Sequence, residues 1–306
     1  MPAESGASPR PLPERPNLRH LKDQAKALLK AGEAASLSEA QLKIARMYGF
    51  QSWSRLKTHV DEKNLGQEVI DLKQAIDTND LDRLKHLMTR SPALHRAPIG
   101  YGKNGPLSWV AECRVPWEPP TSVRLAMAQW MLDNGSDVHQ GGDGPLMRAA
   151  LRDDRIPMME LLLRNGADVN AEWGGFFPII FAPCETVAPA SLKWLIDHGA
   201  NPDCARAGRE YPDSALDYVI GTYSRSERLG ACIAILLEAG CPTRRNIPAI
   251  LEILRGRIDR LRELLDHDPT LVSRRFGELD FGSSGSRSLT LRGCTLLHVE
   301  IGRAHV

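Results

Sequence analysis

Nine His and six Cys are the residues of this 306-residue chain best able to ligate a metal or act as nucleophiles. Their spacing argues against both roles. Cys113, Cys184, Cys204, Cys232, Cys241 and Cys294 form no close pairs, and no Cys-x-x-Cys or His-x-x-x-His pattern joins them to the histidines. Reduced, buried thiols fit that distribution better than a disulfide framework. The run GSSGS at 282–286 lacks the fifth-position Gly of a nucleophile elbow, because residue 286 is Ser, and it reads as a flexible hairpin tip. The run GGDG at 141–144 lacks the spacing and preceding strand of a phosphate-cradling loop and falls where a turn is required. The acid pairs Asp153-Asp154 and Asp266/Asp268 lie at expected helix ends, where exposed acids are common. No catalytic residue, metal ligand or cofactor is therefore assigned, and the chain is expected not to be an enzyme.

The chemistry that remains is recognition. The stretch NAEWGGFFP at 170–178 brings Trp173, Phe176 and Phe177 together, and Arg206, Arg209, Glu210 and Tyr211 follow in the next loop. Aromatic and Arg residues dominate binding hot spots. With His139 and Gln140 from a preceding loop, these nine residues are the candidate partner-binding set. Trp117, Arg225 and Arg228 are secondary candidates on the opposite side. For Phe176 and Phe177, packing under a hairpin is an equally good reading.

The elements that position these loops recur. WMLDNGSDV at 130–138, LLLRNGADV at 161–169, WLIDHGANP at 194–202 and LLEAGCP at 236–242 repeat one phrase. Their glycines, at 135, 166, 199 and 240, are separated by 31, 33 and 41 residues. A unit of about 33 residues has the period associated with ankyrin rather than tetratricopeptide or leucine-rich repeats. In each unit apolar residues such as Met158, Leu161 and Leu162 line one helical face, and the helix ends at a Gly able to take the left-handed conformation. Gly105-Pro106-Leu107 and Gly144-Pro145-Leu146 place Pro at the first position of the opening helix, where its missing N–H is harmless. Pro178 is expected to do the same, since it stands 21 residues before Gly199 as Pro145 stands 21 before Gly166. The segment VPWEPP at 115–120 reads as a lengthened inter-helix loop.

On these residues, GPLMRAALRDDRIPMMELLLRNGADVN at 144–170 resembles an ankyrin repeat, and the chain resembles a bacterial ankyrin-repeat protein. Degenerate units at 72–94 and 250–272 keep the two-helix pattern but leave by an x-Pro-x-Leu exit. The resemblance covers about six repeats and a fragment over residues 67–299, and implies an all-α solenoid of paired antiparallel helices with turn or hairpin tips. One departure is plain: the Thr-Pro-Leu-His opening is mostly GPLS, GPLM and FPII here, so the Thr-His bonding between turns lacks its residues except at 295–298.

Residues 1–16 read as a disordered N-terminus and 17–64 as three helices. Leu18, Leu21, Ala25, Leu28 and Leu29 share a face after Asn17. Ser36-x-x-Glu39 reads as a capping box for a second helix with Leu42 and Ala45, and Trp53, Leu56 and Val60 mark a third. Residues 1–64 carry eleven Lys and Arg against seven Asp and Glu, a net of +4 in a chain whose total is +1. A helix-turn-helix register fails there, because position 55, where an apolar residue is wanted, is Arg and Leu56 comes one place late. A small helical cap is expected. The ending EIGRAHV resembles the translation of a common sequencing adapter, so residues 300–306 are expected to be a non-native tail on an array that continued further.

Neither a secretion signal nor a membrane-length apolar run occurs, and the cytoplasm is the expected location. The function expected of such an array is non-enzymatic binding of another protein through its concave face and turn tips. Two rivals are the targeting part of an enzyme whose catalytic domain lies beyond the chain, and nucleic-acid binding through the basic N-terminal helices. No membrane, small-molecule substrate or cofactor is expected, and the modest charge argues against nucleic acid.

Overall fold

The computed structural model describes residues 10–13, 16–63, 66–100, 103–141, 144–174, 177–204, 214–220, 227–243, 247–277 and 293–304. It divides into two compact units, Met1–Asp71 and Leu72–Val306.

In the first unit, α1 (Leu18–Lys30), α2 (Leu37–Met47) and α3 (Trp53–Lys63) follow the apolar periodicity. Asn17 caps α1 by accepting from the backbone N–H of Arg19 at 2.8 Å. The capping box forms as its residues dictate: Ser36 Oγ accepts from Glu39 N–H at 3.1 Å, and Glu39 Oε2 accepts from Ala35 N–H at 2.8 Å. Leu21, Ala25, Ala40, Ile44, Ala45, Leu56 and Val60 make the core, with Leu18, Leu28 and Trp53 packed at its edge. Leu29, expected on the buried face, is 37% exposed, because it lies about 100° round the helix from Leu28.

The second unit is built from helical hairpins. Its helices are α4 (Gln67–Asp77), α5 (Leu81–Arg90), α6 (Pro106–Glu112), α7 (Ser122–Asp133), α8 (Pro145–Ala150), α9 (Ile156–Arg164), α10 (Phe181–Thr186) and α11 (Pro189–Asp197). After them come α12 (Ala215–Ile220), α13 (Glu227–Glu238), α14 (Pro248–Leu254), α15 (Ile258–His267) and α16 (Leu296–Ala304). The first helices of successive hairpins pack on one another, α6 on α8, α8 on α10 and α10 on α12, and so do the second helices α5, α7 and α9, and α11 with α13.

Each second helix stops in the same way. Gly135, Gly166, Gly199 and Gly240 have φ of 104°, 90°, 93° and 76°, in the left-handed region. In each case the Gly N–H and the next N–H return to the carbonyls of the last turn; Gly166 N reaches Leu163 O and Ala167 N reaches Leu162 O, both at 3.0 Å. The degenerate units instead leave through single 3-10 turns at Pro92–Arg96 and Pro269–Val272.

Pro106 and Pro145 open their helices as expected, but Pro178 does not. It belongs to β2 (Phe177–Pro178), which pairs antiparallel with β1 (Glu172–Trp173), and α10 starts three residues later at Phe181. Pro fits there because it ends a two-residue strand where no ladder donor is needed. Among the described residues no helix is long and apolar enough to cross a membrane. Toward the C-terminal end α15 has no buried residue, and Ile258, Val272 and Leu297 stay exposed.

Candidate functional site

The glycine stops throw the chain into a series of turn tips, and side chains bolt these tips together. Within a tip, an Asp or Asn accepts from the N–H two residues on: Asp137 from His139 at 2.9 Å, Asp168 from Asn170 at 2.8 Å, Asn201 from Asp203 at 2.9 Å. These are Asx turns, the local bond that short polar side chains favour. Between tips, the residue two places on reaches forward. His139 Nε2 accepts from Asp168 N–H at 3.0 Å. Asn170 Oδ1 accepts from Asn201 N–H at 2.7 Å while its amide donates to Gly199 O at 3.0 Å. A His or Asn ladder thus does the work that the Thr-His motif lacks the residues to do. In the last unit, where that motif is present, Thr295 Oγ1 and His298 Nδ1 are 2.9 Å apart.

Gln140 belongs to this ladder and not to an open surface. It is 6% exposed; its Oε1 accepts from Leu107 N–H at 2.9 Å and its Nε2 donates to His95 O at 3.0 Å. Gly105, the residue before α6, has no side chain to cap that helix, and Gln140 supplies the cap from the neighbouring tip. His95, itself buried, lies with Nδ1 2.6 Å from Ser136 Oγ, and burial pushes its imidazole pKa below the usual 6.5.

His139 is exposed and Trp173 and Phe177 are half-buried. Trp173 meets Phe177 edge-on with centroids 6.4 Å apart, and Phe177 continues to Phe181 at 5.4 Å and Tyr218 at 6.1 Å. The hairpin β1–β2 creates this contact by pairing Trp173 with Phe177. Phe177 therefore combines packing with partial exposure. Phe176, Arg206, Arg209, Glu210 and Tyr211 lie outside the described residues, as do the GSSGS run and Arg225.

A pocket of about 110 Å³ separates the tips carrying His139 and Trp173, bounded by Val138, Pro145, Leu146, Met147, Ala171 and Ile179, with Asp168 and Glu172 also lining it. Two of the first helices, α6 and α12, contribute no exposed residue, whereas α4 and α10 do.

On the opposite edge the inter-helix loops are also cross-linked. Arg124 Nε donates to Asn79 Oδ1 and its Nη2 to Val115 O, each at 2.7 Å. Trp117 is 54% exposed, yet the guanidinium carbons of Arg152 and Arg155 sit 4.9 and 4.7 Å from its ring centre. Asp153 accepts from Ser191 N–H at 2.9 Å and pairs with Arg228, while Asp154 pairs with Arg152. Asp153 thus fastens its unit to others, where the sequence suggested a solvated helix-end acid, while Asp154 pairs within its own loop. Fully buried Arg155 donates to Arg148 O at 3.1 Å, and desolvation lowers its pKa to about 10.

Sequence reading missed the fastening bonds of Asp168, Asn170 and His95. The signal was present: Asp137, Asp168 and Asn201 recur at the same 31- and 33-residue intervals as the glycines. Among the described residues no group of three or more His, Cys, Asp and Glu is placed to hold a metal ion.

Residues 141–172, which run through α8, α9, the Gly166 stop and the tip to Glu172, match the ankyrin-repeat family. No curated protein matches the chain. The family match supports an ankyrin-repeat protein.

Proposed function

We propose that this protein is a non-enzymatic, intracellular scaffold whose residues 67–299 form an ankyrin-type solenoid that grips a partner protein at its turn tips. The ankyrin match at 141–172 supports an interaction module. The observation that carries the reading further is the row of tips tied one to the next through His139 and Asn170. Groups held in register by such bonds lose little freedom on binding, which lowers the entropic cost of association. The tips are favoured over α6 and α12, which have no exposed residue to offer. His139, Trp173 and Phe177, with Phe176, Arg206, Arg209, Glu210 and Tyr211, are the proposed contacts. Gln140 is withdrawn from that set, since its amide is occupied internally.

The test is affinity capture with the wild-type chain and a Trp173→Ala/Arg209→Ala variant, with bound proteins identified by mass spectrometry. A protein held by the wild type and lost by the variant, at unchanged far-ultraviolet circular dichroism, is the expected result. Equal capture by both places recognition away from the tips.

A further inference from the structure

The pocket between the His139 and Trp173 tips has a size and a charge that select an occupant. At about 110 Å³ it has room for a few water molecules of ~30 Å³ each, well below the ~300–1,000 Å³ of small-molecule and cofactor sites. It fits one side chain. Its apolar lining comes from Val138, Pro145, Leu146, Met147 and Ile179, together with Trp173. The carboxylate residues Asp168 and Glu172 and the imidazole of His139 also line it, and all three residues are exposed.

The described residues of the two tips that flank the pocket carry acidic groups. The described residues 134–141 and 165–174 of these tips contain Asp137, Asp168 and Glu172 and no Lys or Arg. A carboxylate entering the pocket would be repelled. A purely apolar group would strip water from Asp168 and Glu172 without replacing it, which costs free energy. A side chain with an aliphatic stem and a cationic head satisfies both regions: the stem lies along the apolar wall, and the head meets the carboxylates and the indole face.

We infer that this pocket receives a Lys or Arg side chain from a basic segment of the partner protein. The inference rests on the scaffold reading above and adds the partner's chemistry to it.

Two measurements test it on the full chain. In the first, the Trp173 indole N–H resonance, assigned with Trp173→Phe, is followed during titration with N-acetyl-arginine methylamide, N-acetyl-lysine methylamide and N-acetyl-norleucine methylamide. The cationic amides should shift the resonance at concentrations roughly fivefold lower than norleucine does, and Glu172→Gln should reduce that advantage by about the same factor. Raising the salt should reduce it too. In the second, the immobilised protein selects from a displayed random-peptide library, with the Trp173→Ala variant as counter-selection. Enriched peptides should carry Lys or Arg next to apolar residues.

Norleucine binding as well as the cations would overturn the inference, as would a resonance unmoved by any of the amides. Enrichment of acidic or neutral peptides dependent on Trp173 would overturn it while leaving the scaffold reading standing. Failure of the scaffold reading is separate and shows as equal capture by wild type and Trp173→Ala/Arg209→Ala.

Discussion

One methyl group added at Gly105 should undo the bracket that joins two neighbouring units. A Cβ there would lie 2.0 Å from Gln140 Oε1 and 2.5 Å from its Cδ, so the amide must leave its place. The backbone is not the obstacle: Gly105 has φ of −77° and ψ of 175°, extended values that Ala adopts readily before a proline. What is lost is the pair of bonds from Leu107 N–H and to His95 O, both buried. Each backbone group left unsatisfied costs about 1–3 kcal/mol, so Gln140→Ala should destabilise by about 2–6 kcal/mol. Gly105→Ala should approach that figure, less about 0.4–1 kcal/mol gained by restricting the unfolded chain. In the Gln140→Ala background the clash is gone and Gly105→Ala should be neutral or slightly stabilising, leaving a coupling of about 2–6 kcal/mol between the sites. Urea unfolding of the four proteins measures the cycle. Exchange of the Leu107 amide hydrogen, faster in both single variants, reports the bond itself. Equal cost of Gly105→Ala in the two backgrounds, or a cost under about 0.5 kcal/mol in the wild type, would refute this account.

His95 should make the same region acid-sensitive. Because its folded pKa lies below the usual 6.5, the unfolded chain binds the proton more readily between the two values, and stability falls as pH drops below about 6.5. Urea midpoints of the wild type should therefore fall more steeply from pH 7 to 5 than those of His95→Gln; parallel curves would show that His95 does not contribute. The thiols should be inert in the folded protein, since burial pushes Cys204 and Cys232 up to about 12 and Cys184 well above its normal range. Iodoacetamide at pH 8 followed by peptide mass mapping should modify half-buried Cys294 first, and labelling of Cys184 or Cys232 at a similar rate without denaturant would contradict the packing.

Chemical signals local to a few residues were legible in the sequence. The left-handed glycines at 135, 166, 199 and 240, the Ser36–Glu39 capping box and the Pro-led openings of α6 and α8 depend on backbone conformations that one or two residue types satisfy. Helix faces in the first unit were nearly as clear, with Leu29 misassigned because a wide apolar stripe does not mark its own edge. Pro178 misled for a related reason: Pro suits a strand end as well as a helix start, and the pairing of Trp173 with Phe177 decided between them.

The repeat and its period followed from the sequence by itself, because each unit must bury a helical face against its neighbour and stop at a residue free to take positive φ. Which polar side chains stay exposed and which are buried between the units could not follow, because Gln140 and His139 are adjacent in the chain and equally polar. Their roles differ through distant atoms. Gln140 turns into the gap beside Gly105 and His95, while His139 lies on the exposed tip with one ring nitrogen bonded forward to Asp168. Only tertiary packing brings the 95, 105 and 140 segments together, and it is that packing which divides the exposed tips from the buried seam.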